Sequence, residues 1–122
     1  MLCDDSLMVI KKMTDTLKAL GIKEVITATD GVQAVALYKL RHPDIVFMDQ
    51  VMPNKTGLEA LAEIIALDPN AKVFMLSSVG TLSKREEARK IGAQDFIQKP
   101  VEIASVKEAL EQIAEYKLQN TD

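Results

Sequence analysis

The amino-acid sequence predicts an α/β domain, in which helices cover both faces of a five-stranded parallel sheet. Five short runs of apolar and β-branched residues alternate with five amphipathic stretches, the order that right-handed strand–helix–strand crossovers produce. One run, Asp44-Ile45-Val46-Phe47-Met48, is almost continuously apolar, as is typical of strands buried on both faces. The length of 122 residues suits one compact core, so we expect a single domain over residues 1–122.

The first two strands and their helices follow from the periodicity of apolar residues. The stub Leu2-Cys3 predicts a short first strand, and the helix after it ends at Gly21. The apolar residues of that helix are Ile10, Met13, Leu17 and Leu20. Residues 24–28 are rich in β-branched side chains and predict the second strand, and Asp30 predicts the N-cap of the next helix. That helix ends at His42-Pro43, and its apolar residues are Val32, Val35, Ala36 and Leu40.

The remaining elements alternate in the same way. The apolar run at 44–48 predicts the third strand, 72–76 the fourth and 95–98 the fifth. The helix after the third strand carries Leu58, Leu61, Ile64 and Ile65. The stretch 83–91 is highly charged and thinly apolar, so we expect a helix there that packs weakly. The apolar stripe of the last helix consists of Ile103, Val106, Leu110 and Ile113.

The composition argues against several classes of function. The net charge of −3 makes a general nucleic-acid binder improbable, because such proteins carry a basic surface. No apolar run reaches the ~18 residues of a membrane span, and the chain starts with acids where a signal peptide has bases. The single cysteine, Cys3, makes no internal disulfide, and the single histidine, His42, argues against zinc sites and histidine triads. We therefore expect a cytoplasmic protein that neither enters a membrane nor binds nucleic acid directly.

Polar residues follow the strands at positions that place them along one edge of the sheet. They are Asp4, Asp5, Asp49, Ser77 and Lys99. Each alone suits a cap, a turn or a solvated surface, and only their joint placement indicates a site. Carboxylates that lie close together repel one another unless a cation sits among them, and oxygen ligands favour Mg²⁺. Such a cation with a carboxylate, a hydroxyl and an amine suits phosphoryl transfer.

These motifs resemble those of bacterial two-component response-regulator receiver domains, in particular the single-domain chemotaxis type. The motifs are Asp4-Asp5, Asp49-Gln50-Val51-Met52-Pro53 with Gly57, Ser77-Ser78 and Lys99-Pro100. They occur in the order of the family and span essentially the whole chain. The resemblance implies a flavodoxin-like, doubly wound (βα)5 fold with strand order 2-1-3-4-5.

The resemblance also implies how a phosphoryl group is accepted. Asp49 is the expected phosphoacceptor, and the donor is a sensor histidine kinase, a phosphotransfer protein or a small phosphodonor. Asp5 and Asp49 would bind Mg²⁺ directly, or Mn²⁺ in its place, and Asp4 would bind it through water. The backbone carbonyl of Val51 would complete the protein ligands. Lys99 would pair with the phosphoryl oxygens, and its bond to Pro100 would be cis.

Switching is the second implication of the resemblance. Ser77 would move to hydrogen-bond the phosphoryl group, and Phe96 would follow it inward. The fourth helix, fifth strand and fifth helix would then present a changed face to a downstream protein. Such a protein catalyses only its own phosphorylation and dephosphorylation, so we do not expect an enzyme. The apolar residues Val51 and Val79 stand where the family tunes dephosphorylation, so we expect a long-lived phosphorylated state.

The first strand departs from the family, because only Met1, Leu2 and Cys3 precede the acidic pair. A central strand this short leaves its neighbours without hydrogen-bond partners. Three explanations stay open: a truncated chain, numbering from an internal start, or a strand exchanged between copies. The oligomeric state is open as well, between a monomer, a strand-swapped dimer and a dimer through the fourth helix, fifth strand and fifth helix.

Two other functions compete with the receiver interpretation. A haloacid-dehalogenase-like phosphotransferase also uses an aspartate nucleophile and Mg²⁺, but it needs a second aspartate where this chain has Val51. A receiver fold that no longer switches would be an interaction module, and the short first strand keeps that alternative open. A nucleotide- or flavin-binding protein is improbable because the sequence has no glycine-rich phosphate loop.

Overall fold

The computed structural model describes residues 1–78 and 82–113, and its strands form one parallel sheet. The strands are β1 (Leu2–Cys3), β2 (Thr27–Ala28), β3 (Val46–Asp49), β4 (Val73–Ser77) and β5 (Asp95–Gln98). Their order is β2-β1-β3-β4-β5, and every neighbouring pair is parallel. The predicted flavodoxin-like fold is therefore confirmed, including its short first strand.

Side chains cap the N-termini of the first three helices. The helices are α1 (Leu7–Ala19), α2 (Gly31–Arg41), α3 (Gly57–Leu67), α4 (Leu82–Ile91) and α5 (Ile103–Glu111). Ser6 caps α1 by accepting from the Val9 amide, and Asp30 caps α2 as predicted. His42 ends α2 in the left-handed conformation, with φ +44°.

The strand β1 limits how far its neighbours pair. Leu2 lies opposite Thr27 and Phe47, and Cys3 lies opposite Ala28 and Met48. The prediction of a second strand over 24–28 is wrong for its first residues, because only Thr27–Ala28 are strand. The carbonyl of Ile26 still accepts a hydrogen bond from the Leu2 amide at 2.8 Å, but Val25 and Ile26 lie ahead of the strand and pack against the apolar cores.

Each face of the sheet carries its own apolar core. One core joins α2, α3 and α4 to the strands, and the other joins α1 and α5 to them. Alternate residues of the central strands point into the two cores: Met48 and Met75 face α3, whereas Phe47 and Phe74 face α1 and α5. The two phenylalanine rings stack with their centroids 5.7 Å apart. Both faces of the sheet are thus buried, as the apolar run at 44–48 predicted.

Some of the predicted apolar residues lie outside these cores. In α2 the exposed residues include Val32, Ala36 and Leu40. The buried face of α2 is instead Gly31, Ala34, Val35 and Tyr38. This buried face packs closely against the loop before α3. The contact leaves no room for a side chain at position 31. In α5, Ile103 is the first residue of the helix and is 57% exposed.

The described helices include none that is both long enough and apolar enough to cross a membrane.

Candidate functional site

Three carboxylates meet where β1 and β3 end side by side. Asp4 and Asp5 follow β1, Asp49 is the last residue of β3, and each offers an oxygen within 4.8 Å of the others. Asp4 and Asp49 are buried, with 1% and 7% of their surface exposed, and Asp5 is exposed. The predicted convergence of these acids is therefore seen in the structure.

Lys99 reaches the same cluster from the loop after β5. Its Nζ donates to Asp4 Oδ2 at 2.7 Å and lies 3.2 Å from Asp49 Oδ1. The Lys99 amide also donates to the carbonyl of Ser77 at 2.8 Å, which ties this loop to the end of β4. The Lys99–Pro100 peptide bond is cis, as predicted.

The electrostatics of the cluster show a shortage of positive charge. Burial raises the pKa of Asp49, and the neighbouring charge of Asp4 raises it further, against the opposite effect of Lys99. For Lys99, burial acts to lower the pKa, but its hydrogen bond to Asp4 and the charges of both aspartates raise it overall. One ammonium therefore does not balance three carboxylates, and a second cation would be stabilised among them.

The donor set fits a hard divalent cation such as Mg²⁺. All three side chains offer carboxylate oxygens at a spacing that one ion spans. Both oxygens of Asp4 already accept hydrogen bonds, one from the Ser6 amide at 2.9 Å and one from Lys99. Both oxygens of Asp4 are thus engaged within the protein, and Asp49 shares Lys99 with it.

The other predicted site residues lie around the cluster. Ser77 is buried at the end of β4, one position beyond Leu76, which pairs with Asp49. Val51 lies in the loop after β3 with its side chain exposed. Phe96 lies on β5 opposite Met75 and is buried in the core beneath α4, so it is separate from the carboxylate cluster. Val79 lies outside the described residues.

Two arginines of α4 make contacts that were not predicted from the sequence. The guanidinium of Arg85 lies over the Phe96 ring, 5.6 Å from its centroid, and Arg89 pairs with Asp95 at 3.1 Å. Their spacing of four residues places both on one helix face, but charged helices show such spacings without any partner. Only the position of α4 over β5 shows what the two side chains contact.

Neither Cys3 nor His42 belongs to the site. Cys3 is fully buried, and burial raises the pKa of its thiol to about 12, so the thiolate that would react is disfavoured. The ring of His42 makes an edge contact with Tyr38 at the end of α2. Cys3 thus belongs to the core, and His42 belongs to the end of α2.

Comparison with known proteins identifies the family. The model of the family described as "Response regulator receiver domain" matches residues 1–111. The chain belongs to this family. Among related proteins, the receiver domain is 39% identical to the chemotaxis protein CheY of Thermotoga maritima, over 93% of this chain and 95% of that protein. It is 41% identical to CheY of Listeria monocytogenes, over 93% of this chain and 96% of that protein.

Solved structures agree with this assignment. The receiver domain is similar to a chain in the crystal structure of a CheX–CheY–BeF3–Mg²⁺ complex from Borrelia burgdorferi, with a TM-score of 0.88 and 34% identity. The match covers 92% of this chain and 85% of that one. The receiver domain of NtrX from Brucella abortus gives a TM-score of 0.85 and 30% identity, over 93% and 96% of the two chains. The chain is thus a receiver domain of the chemotaxis CheY type, a component of two-component signalling.

Proposed function

We propose that this receiver domain is a phosphoacceptor response regulator and that it carries the phosphoryl group on Asp49. The observation that carries the proposal is the position of Lys99, whose ammonium bridges Asp4 and Asp49 inside the acidic cluster. Lys99 Nζ lies 3.2 Å from Asp49 Oδ1, where it would offset the charge of a phosphoryl group. The family supplies the donor class, a sensor histidine kinase or phosphotransfer protein.

The transfer exchanges one bond to phosphorus for another. A carboxylate oxygen of Asp49 attacks phosphorus, the bond from phosphorus to the histidine nitrogen of the donor breaks, and that nitrogen keeps the electron pair. Lys99 donates hydrogen bonds to the phosphoryl oxygens as their charge concentrates near Asp49. Later a water attacks phosphorus, inorganic phosphate leaves, and the Asp49 carboxylate is restored. The domain would thus catalyse only the phosphorylation and dephosphorylation of its own Asp49. It would not act as an enzyme on other molecules.

A divalent cation completes the proposed chemistry. Asp5, Asp49 and the Val51 carbonyl would hold Mg²⁺, or Mn²⁺ in its place, with Asp4 acting through water. When bound, the ion neutralises part of the negative charge shared by the carboxylates and the phosphoryl group. This role is supported by the three carboxylates, by the raised pKa of Asp49 and by the paired oxygens of Asp4.

We propose that the signal leaves through the face formed by α4, β5 and α5. Ser77 stands next to the site, and Phe96 lies two positions back on the neighbouring strand, so a movement of Ser77 can reach α4. A cleft of about 470 Å³ on this face is lined by residues that include Arg85, Phe96, Glu102 and Glu108. Its mixture of charges suits a downstream protein in the cytoplasm, with no direct contact to nucleic acid or membrane.

The test is the intact mass of the protein after incubation with acetyl phosphate, with and without Mg²⁺. We expect the gain of one phosphoryl group only with Mg²⁺, and no gain for Asp49→Asn. Asp15→Asn is a matched control, because it makes the same substitution at an exposed acid outside the cluster and should be phosphorylated. A wild-type protein that gains no mass would overturn the proposal and favour an interaction module that does not switch.

The same mass measurement, followed over time, tests whether the exposed apolar side chain of Val51 slows dephosphorylation. We expect Val51→Asn to lose its phosphoryl group faster than the wild type, because an amide beside Asp49 can orient the attacking water. Equal rates of mass loss in the two proteins would show that Val51 does not lengthen the phosphorylated state. Turnover of a phosphate ester, measured in the same samples, would instead support the haloacid-dehalogenase-like alternative.

The oligomeric state needs a separate measurement. Sedimentation with and without acetyl phosphate distinguishes a constant monomer from a dimer formed on phosphorylation through α4, β5 and α5. A dimer present in both states that dissociates only on unfolding would support exchange of the first strand.

A further inference from the structure

The loop between β3 and α3, residues 50–56, is held against the N-terminus of α2 by one side-chain hydrogen bond. Asn54 Nδ2 donates to Asp30 Oδ2 at 3.0 Å. The other oxygen of Asp30 accepts from the Gln33 amide at 2.8 Å and so caps α2. A single carboxylate therefore caps a helix and binds the loop that follows Asp49.

The backbone of this loop also packs tightly against α2 and α3. A Cβ atom on Gly31 would lie 2.2 Å from the carbonyl oxygen of Lys55, and one on Gly57 would lie 2.1 Å from that of Asp49. Both distances are far below van der Waals contact, so only glycine permits these approaches. Asn54 has φ +68°, in the left-handed region that asparagine and glycine adopt most readily. The loop backbone therefore packs closely against the N-termini of both helices.

The side chains of Asp30 and Asn54 can form a hydrogen bond that neither the helix cap nor the left-handed backbone requires. Serine is as good an N-cap as aspartate, and glycine adopts a left-handed conformation more readily than asparagine. What those simpler residues lack is the hydrogen bond between α2 and the loop. The bond is thus the property that distinguishes Asp30 and Asn54 from residues that would serve the local backbone equally well.

We propose that the Asp30–Asn54 hydrogen bond is a positioning contact for cation binding, which holds the loop so that the Val51 carbonyl faces the acidic cluster. The inference rests on the proposed function, because it takes that carbonyl as a ligand. Groups that hold ligands in place affect metal affinity even though they never touch the ion. The loss of a buried supporting group weakens metal binding about 10- to 100-fold. The Asp30–Asn54 bond is exposed to solvent, so we expect its loss to weaken cation binding by only about three- to tenfold.

The experiment measures binding of Mn²⁺ to the full chain by electron paramagnetic resonance of the free ion, with Mg²⁺ as competitor. Asn54→Gly is the decisive variant, because it keeps the left-handed conformation and the net charge but loses the donor. Asp30→Ser keeps the cap and loses the acceptor. Asp30→Asn removes the same charge as Asp30→Ser but can still pair with Asn54 after rotation of the amides, so it separates the hydrogen bond from the charge.

We expect Asn54→Gly and Asp30→Ser to bind Mn²⁺ about three- to tenfold more weakly, the double variant to bind no worse than either, and Asp30→Asn to bind like the wild type. Saturating Mg²⁺ should restore phosphorylation of Asn54→Gly by acetyl phosphate, which a general loss of structure would not allow. Wild-type affinity in Asn54→Gly would overturn this inference and leave the proposed function intact. A wild type that binds neither ion would overturn both.

Discussion

The helices α3 and α4 lie on the same face of the sheet, but different forces hold them there. The helix α3 buries Gly57, Ala60, Leu61 and Ile64 against the core. Its first turn is closed by a capping box between Thr56 and Glu59. This helix follows the loop after Asp49, so that loop leads directly into a firmly packed element.

The helix α4 buries less apolar surface: Ile91 packs against the core while only partly buried, and two arginines make contacts at the surface. Its one buried residue is Ala88. Arg89 pairs with Asp95, and Arg85 lies over the ring of Phe96. Contacts of this kind are weaker than apolar burial and are easily exchanged. The weaker attachment of α4 supports the proposal that the signal leaves through the face formed by α4, β5 and α5.

The largest expected contrast between the helices is in stability. Ile64→Ala in α3 should lower the free energy of unfolding by about 2–5 kcal/mol, because it leaves a cavity in the core. Leu82→Ala, at a 71% exposed position of α4, should change it by less than about 0.5 kcal/mol. Urea denaturation of both variants measures the two values. Similar losses would mean that α4 contributes as much to the core as α3 does.

The capping box predicts a smaller effect at the start of α3. Thr56→Ala should lower the free energy of unfolding by about 1 kcal/mol, because the Glu59 amide loses its acceptor at 3.2 Å. Thr56→Ser keeps the hydroxyl and should retain most of the stability. The same denaturation experiment tests both, and an equal loss in the two variants would rule out the hydroxyl as the cause.

Removal of the ion pair between Arg89 and Asp95 should loosen α4 locally, with almost no effect on the stability of the whole domain. Arg89→Gln should cost less than about 1 kcal/mol of stability, because the pair with Asp95 is exposed. Hydrogen exchange should nevertheless become faster for the amides of α4 and stay unchanged for those of α3. Arg41→Gln is the matched control, since it removes an ion pair with Glu24 at the end of α2. Faster exchange throughout the domain would contradict a local attachment of α4.

The smallest predicted effect is a pH-dependent difference in stability that arises on the face of the sheet covered by α3. The Tyr38 hydroxyl donates to Asp68 Oδ2 at 2.8 Å, and this bond holds the pKa of Asp68 below its ordinary value of 3.8. A lowered pKa contributes stability above that ordinary value, and the contribution is lost as the pH falls through the folded-state pKa. Tyr38→Phe should therefore be less stable than the wild type near neutral pH, and the difference should shrink below about pH 4. Thermal unfolding of the two proteins between pH 2.5 and 7 measures it; a difference independent of pH would exclude Asp68 as the origin.

Much of the fold and the site could be predicted from short stretches of sequence. The caps at Asp30 and His42 depend on neighbouring residues, and so does the buried character of residues 46–48. The meeting of Asp4, Asp5 and Asp49 followed from a general rule, because parallel strands end at one edge. Their roles in phosphorylation stay predictions until the mass measurement is made.

Other features depend on partners distant in the chain and were missed or predicted wrongly. The second strand is short because β1 is short, and no property of residues 24–28 indicates this. The exposed position of Val32 follows from the approach of Gly31 to Lys55. The cap at Asp30 was predicted, but its bond to Asn54 spans 24 positions of the chain.

The sequence by itself determined the order of strands and helices, the cap that begins α2, and the set of polar residues that follow the strands. These depend on periodicity and on hydrogen bonds within a few residues, which a linear pattern contains. Only the tertiary structure decided that Lys99 bridges Asp4 and Asp49, that Arg85 covers Phe96, and that α2 holds the loop after β3. The reason is physical: such contacts need two segments packed within a few ångströms, and the packing of all the elements together sets that distance.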